Sequence, residues 1–531
     1  MIVISKIFSY FLTSNNVGRH DVRFSTKLIN IWNNIVSYLL PIKRSELSKF
    51  LCITLLMFCI LFIQNLIRAL KDSIINTMIG TETVAFLKFW GVLPAAFLFA
   101  MLYVTLVNII KGENIFYFIL SIFLLFFALF AFYIFPNHTL LHLDSRHADF
   151  LIKSYPNFKW FILLLSNWSF SLFYIIAELW PNIVFALLFW QFVNSVTNVE
   201  QSTRFYPLFG LFGQTNLYIS GKCLSNLDHL NKYFIDKFDL KITENVLLVQ
   251  IILSIVLILG VVALATFWIL NHKILAKDQA KYLQFVVKKQ AITIVESFKM
   301  AIYSRYIRLI ATLLICYGIA INLVEGPWKS LASKTYKTPT EFAVFIGNYQ
   351  MYTGIFTILF VALCSNIVRS FGWVTAAMVT PVIVFITGIL FFAVTNLKEL
   401  DALWMISLAL TDPVLMAIVI GSIQNILSKS SKYAFFDATK EMSYVPLDDE
   451  LKTKGKAAAD VIGTKLGKSA GSLIQSLIFI ILPMATYQSI SNYLMAIFAV
   501  ICVIWIWAVR ELGKEYEIIT LKNNSLSLDQ L

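Results

Sequence analysis

Apolar runs of spanning length follow one another from Leu47 to Val509, each ended by a short polar or charged stretch. A helix needs about 20 mostly apolar residues to cross the hydrocarbon core of a bilayer. On that measure the pattern predicts spans near 47–70, 84–109, 114–136, 160–180, 182–198, 205–223, 246–270, 306–324, 342–367, 373–395, 402–427, 458–484 and 487–509. The run from Trp160 to Val196 reads better as one tilted helix with a broken piece, because Pro181 interrupts it. Merging that run leaves about twelve helices.

Composition agrees with lipid as the main solvent. The chain of 531 residues is 59% hydrophobic and 14% charged, against roughly 45–50% and 25% for soluble domains, which excludes a soluble protein. The formal charge of +13 bears first on topology and anionic lipid, so no nucleic-acid partner is expected. The connection 271–305 holds Lys273, Lys277, Lys281, Lys288, Lys289, Lys299 and Arg305 against Asp278 and Glu296, which predicts a cytoplasmic linker. The expected organisation is a cytoplasmic segment 1–46, a six-helix half 47–270, the linker 271–305, a second half 306–510 and a cytoplasmic tail 511–531. Met1 to Leu12 is apolar without a small-residue cleavage site, so a cleaved signal peptide is not expected. The six cysteines form no CxxC pair, and His138, His142 and His147 share one loop without ligand spacing, so no metal or cofactor is expected.

An ionisable group at membrane depth costs roughly 2.5–3.5 kcal/mol on insertion scales, which makes it a functional candidate unless it lies at an interface. Arg68 and Lys71 are three residues apart and share a helical face at the end of the first span; interfacial snorkelling is the alternative. Glu178 stands in a run with no other charge between Lys159 and Glu200, where a structural ion pair is the alternative. Glu325 opens Glu325-Gly326-Pro327-Trp328-Lys329. Gly-Pro there is expected to disturb the helix near its end, and a helix terminus at the water boundary is the alternative to a transport role. From Ser428 to Lys468 the chain is dense in lysine, and its small residues from Gly455 to Gly471 have helix-packing spacing. Gly463-Thr-Lys-Leu-Gly467-Lys468-Ser469 is one residue short of a phosphate loop and has no strand before it.

Several strings in co-linear order carry a family resemblance: Arg68-Ala-Leu-Lys71-Asp72-Ser73, Phe86-Leu-Lys88, Ala177-Glu178-Leu179-Trp180, Gln191-Phe-Val-Asn194, Arg204-Phe-Tyr, Asn322-Leu-Val-Glu325-Gly326, Phe436-Asp437-Ala438-Thr439-Lys440-Glu441, Gly455-Lys456-Ala457 and Leu466-Gly467-Lys468-Ser469. From about Pro41 to Tyr516 the chain resembles the non-mitochondrial nucleotide transporters, the ATP/ADP translocases of plastids and obligate intracellular bacteria, most closely their rickettsial branch. The resemblance implies an all-α polytopic fold with two six-helix halves, major-facilitator-like, both termini cytoplasmic, in the bacterial inner membrane. It also implies exchange of host ATP for internal ADP, with other nucleotides (GTP/GDP, CTP, UTP or NAD) or phosphate as alternative substrates. Its essential charges fall on Lys71, Glu178, Glu325 and, less closely, Lys456. Arg68, Asn194, Arg204, Lys329, Lys432 and Asp437, in or beside these strings, are secondary candidates, and Tyr174 or Phe205 is a candidate for stacking the base. Pro181 and Pro327 beside the two glutamates depart from the family pattern. A membrane enzyme that uses nucleotide is the rival class, disfavoured because no catalytic constellation is visible.

Overall fold

The structure is a computed structural model that describes residues 42–110, 112–238, 242–275, 303–397, 412–448, 451 and 455–528. Residues 1–41, most of the basic linker and the start of the expected tenth span lie outside the described residues. Membrane-length helices follow in chain order: α1 Arg44–Met78, α2 Thr83–Ile109, α3 Asn114–Ile134, α4 Trp168–Val196, α5 Val199–Ser225, α6 Glu244–Ile274, α7 Arg305–Thr335, α8 (339–371) and α9 (373–397), α10 Pro413–Tyr444, α11 Lys456–Ile481 and α12 Ser491–Leu528. Nine stretches among the described residues are long and apolar enough to span. One of them, 339–396, turns at Gly372 (φ 81°, ψ 175°), a backbone conformation suited to glycine, and so holds both α8 and α9. With the more polar α5 and α11 the described residues hold twelve such helices.

Three boundaries differ from the expectation, each for a local reason. The first span does not stop near residue 70; α1 runs on to Met78 and buries Lys71 and Asp72, because those charges find partners inside the bundle. Pro181 does not break α4. Its missing N–H and the clash of its ring are absorbed by a π-helical stretch, Pro181–Phe189. Nor does Gly326-Pro327 end α7, which continues to Thr335 with Pro327 inside it.

The two halves repeat one packing scheme. In the first, α1 packs on α4, α5 and α6; in the second, α7 packs on α10, α11 and α12. Gly463, Gly467 and Gly471 lie four residues apart along one face of α11. A Cβ there would meet Leu314 Cβ at 2.6 Å, Ile315 Cα at 2.9 Å and Asn322 Cβ at 3.0 Å on α7. The loop-like string from Gly463 to Ser469 is therefore a helix-packing stripe, since it lies within α11.

Between the halves, α5 packs along α8 and the first turns of α2 pack on α11. The α5–α8 contact is tight at one end, where a Cβ on Gly221 would lie 2.5 Å from Met351 N and one on Gly347 would lie 2.6 Å from Leu224 Cβ. Toward the other end the halves part: a Cβ on Gly210 would meet nothing within 4 Å, and Leu93–Ile109 of α2 has no buried residue. The molecule is thus a cleft, closed where α1 and α7 end and open where they begin. Gly221→Val is expected to force backbone apart at the closed end and destabilise the protein by about 1–3 kcal/mol. Gly210→Val should be nearly neutral. Thermal unfolding of both purified variants in detergent checks this, and equal midpoints would exclude a tight contact at Gly221.

Candidate functional site

Helix α1 places Arg68, Lys71 and Asp72 on one face through i, i+3 and i+4 spacing. Helix α4 brings Glu178 to Lys71, with Nζ and Oε2 3.1 Å apart, and Tyr174 one turn earlier puts its ring 3.9 Å below the same ammonium. Lys71 also donates to Asp72 Oδ1 at 2.8 Å. The second Asp72 oxygen accepts from Lys329 of α7 at 2.8 Å, and Lys329 meets Glu325, one turn before it, at 3.0 Å. Glu325 further draws Lys88 of α2 at 3.3 Å and Lys429 of α10 at 3.7 Å. Lys88 donates to Asn322 Oδ1 as well, at 2.8 Å.

A single ion network therefore runs from Glu178 through Lys71, Asp72 and Lys329 to Glu325, Lys88 and Lys429, and it crosses between the halves. Lys71, Asp72 and Lys329 are 3%, 4% and 4% exposed. Unpaired charges so buried would cost several kcal/mol each, so the network is what makes burial tolerable. Its four lysines exceed its three carboxylates. Arg68, one turn before Lys71, adds a further positive charge and has no carboxylate within ion-pair distance among the described residues. The site is built to attract an anion.

A cavity of about 240 Å³ leads from the open end to this network, with Arg68, Asp72, Glu325, Lys329 and Lys429 at its inner wall. Phe185, Trp190, Gln64, Gln214, Tyr349 and Gln350 also line it, so the chamber combines cations with aromatic and amide groups. Behind the network lies a recess of about 10 Å³, beside Lys88, Asn322 and Tyr487, room for about one water. Beyond that recess the halves are joined by Thr81 Oγ1 and Ser333 Oγ at 3.3 Å and by the Tyr487 N–H donating to Glu82 Oε1 at 3.4 Å.

Of the sequence candidates, Lys71, Glu178, Glu325, Arg68 and Lys329 are brought together here. The others are elsewhere. Lys456, at the start of α11, pairs with Glu441 at 2.5 Å with its side chain 42% exposed. Lys432 pairs with Asp437 at 2.8 Å, Arg204 donates to Glu46 where α1 begins, and Asn194 is exposed and accepts from the Tyr206 hydroxyl at 2.6 Å. Phe205 is fully buried against Phe50, and Tyr174 is fully buried under Lys71, so neither ring is free to stack a base. His142, outside the spans, bonds Ser169 at 2.6 Å, and burial holds its imidazole down at about 4, a structural role. No metal-ligand cluster occurs among the described residues.

Asp72, Lys88, Lys429 and Lys468 escaped sequence reasoning as site residues. Asp72, Lys88 and Lys468 stand inside the strings quoted above, and Lys429 stands in the lysine-dense stretch; the strings were the available signal. Lys468 is within electrostatic reach of Glu178 and Arg68.

Comparison with known proteins adds the following. The profile of the TLC ATP/ADP transporter family matches residues 27–516. A Rickettsia bellii protein named ADP,ATP carrier protein 4 is 66% identical over 506 residues, covering 95% of this chain and 97% of the relative. Its Rickettsia prowazekii namesake is 65% identical over 502 residues, covering 94% and 98%. ADP,ATP carrier protein 3 of Rickettsia conorii is 44% identical over 486 residues, covering 90% and 96%. Among solved structures, a mutant of the nucleoside transporter NupG superposes with a TM-score of 0.53 at 13% identity, covering 87% of this chain and 99% of that one. A bacterial homologue of the iron transporter ferroportin in an inward-facing state gives 0.53 at 12% identity, covering 88% and 98%. At such identities these two likenesses speak for the fold alone.

Proposed function

The chain belongs to the TLC ATP/ADP transporter family, and from that premise we propose that it exchanges external ATP for internal ADP across the cytoplasmic membrane of an intracellular bacterium. It is a multi-pass membrane transporter and not an enzyme. The observation that carries the reading is the cationic surplus at the blind end of a cleft between two halves. Phosphate oxygens suit Lys71, Lys329 and Arg68 through charge-assisted hydrogen bonds, and the aromatic and amide groups of the cavity wall suit a sugar and base. Alternating access then consists of the halves rocking about this midpoint.

The same cavity favours keeping a second reading, exchange of other nucleotides. Its cations recognise a phosphate chain common to all of them, while Gln64, Gln214 and Gln350 offer amides to any base. One assay separates these possibilities: proteoliposomes loaded with ADP take up labelled ATP in the presence of each unlabelled nucleotide in turn. Strong competition by ATP and ADP supports the first reading, and stronger competition by GTP, CTP, UTP or NAD supports the second. Chemically altered nucleotide would instead point to an enzyme.

We assign the open end of the cleft to the cytoplasm, because α1 and α7 begin there and α6 and α12 end there, on either side of the basic linker. Six-helix halves 47–270 and 306–510 follow as the moving units. Reporter fusions within 276–302 are expected to report the cytoplasm, and an external signal overturns the orientation.

A further inference from the structure

Opening the closed end requires every bond between the halves in the ion network to break, and the members of that network differ in what they keep. Lys71 and Glu178 both belong to the first half, 3.1 Å apart. Asp72 keeps Lys71 at 2.8 Å when it loses Lys329. Lys329 keeps Glu325 at 3.0 Å, and Glu325 keeps both Lys329 and Lys429. Each of these groups has a partner of opposite charge on its own half, so separation strands none of them.

Lys88 is the exception. It lies on α2 of the first half, in a π-helical turn, Leu87–Val92, and both its ion-pair and hydrogen-bond partners, Glu325 and Asn322, belong to the second half. Glu178, the first-half carboxylate whose charge reaches it, is already held by Lys71. Its side chain is 21% exposed and faces the small recess on the closed side. Parting of the halves therefore takes from this ammonium both the carboxylate and the amide that hold it, unless an anion is present to take the place of Glu325.

We propose that Lys88 is the positioning residue that makes reorientation conditional on bound substrate, and so makes the carrier an exchanger rather than a leak. This rests on the nucleotide-transport reading. A phosphate chain on the network supplies the missing counter-charge, and the loaded carrier opens; the empty carrier stays closed because Lys88 would be stranded.

Two measurements test the proposal. In the first, proteoliposomes loaded with labelled ADP are diluted into medium with or without unlabelled nucleotide. Wild type should release label mainly when external nucleotide is present. Lys88→Gln should raise release without external nucleotide by about tenfold relative to release with it, and Lys88→Arg should restore the wild-type ratio. An unchanged ratio in Lys88→Gln, even with lower rates of both kinds, overturns the proposal, because a merely structural lysine lowers both together. The second measurement needs no transport: cysteines replacing Thr81 and Ser333, whose hydroxyls are 3.3 Å apart, report closure by disulfide formation in purified protein. Without nucleotide, Lys88→Gln should slow that cross-link by about tenfold and Lys88→Arg should not; equal rates in all three overturn the proposal. If wild type neither binds nor exchanges any nucleotide, the transport reading fails, while the cross-link still decides whether Lys88 controls closure.

Discussion

Lys71→Ala is expected to lower nucleotide exchange in proteoliposomes by about a hundredfold or more, with the protein still present in the membrane. Removing this ammonium leaves Glu178 without its ion-pair partner and takes one of two lysines from Asp72. Breaking a buried pair from one side costs about 3–5 kcal/mol, and the loss falls on the site that is to hold phosphate. Lys281→Ala, in the basic linker, is the matched control and should leave exchange within about twofold. Comparable activity of the two variants would mean that Lys71 is a structural ion-pair partner that transport does not need. The same assay decides between the lysines of α11. The resemblance points to Lys456, whereas the geometry pairs Lys456 with Glu441 at a half-exposed position, and Lys468 lies within electrostatic reach of Glu178. A large loss in Lys468→Ala and a small one in Lys456→Ala is the outcome the geometry favours.

Glu325→Gln should impair turnover by about tenfold or more while nucleotide binding at equilibrium stays level or tightens. A carboxylate beside a polyanion site looks misplaced until its partners are counted: Glu325 balances Lys329, Lys88 and Lys429. Neutralising it hands those three cations to the phosphates, so binding gains and release slows. Glu178→Gln should act in the same direction with a smaller effect, since among the described residues its ion-pair partner is Lys71 alone. The two glutamates also differ in what alternating access asks of them, because Glu325 has a partner across the halves and Glu178 does not. Binding and transport must be measured on the same purified variants. If both glutamines weaken binding in proportion to transport, the carboxylates are ordinary ligands or structural pairs and the competition between carboxylate and phosphate is excluded.

The sequence by itself determined the solvent and the architecture, because spanning length and apolar content are properties of each segment alone. It also marked Lys71, Glu178 and Glu325, since a charge inside an apolar run is visible without knowing its neighbours. Where it went astray, the deciding energy came from another segment. The apolar run predicts a first span that ends near residue 70, yet α1 continues to Met78 because Asp72 and Lys71 are neutralised by α4 and α7. Pro181 and Pro327 read as breaks, yet a π-helical stretch and the packing of α7 absorb them. Lys88 stands in a family string and Lys429 in the lysine-dense stretch, but neither position reveals its partner, because their meaning lies in reaching Glu325 from two other helices. Only the tertiary structure could decide which lysine meets which carboxylate, and which of those pairs crosses between the halves, because ion pairing in a dry interior depends on distances of a few ångströms that spacing along one helix does not encode.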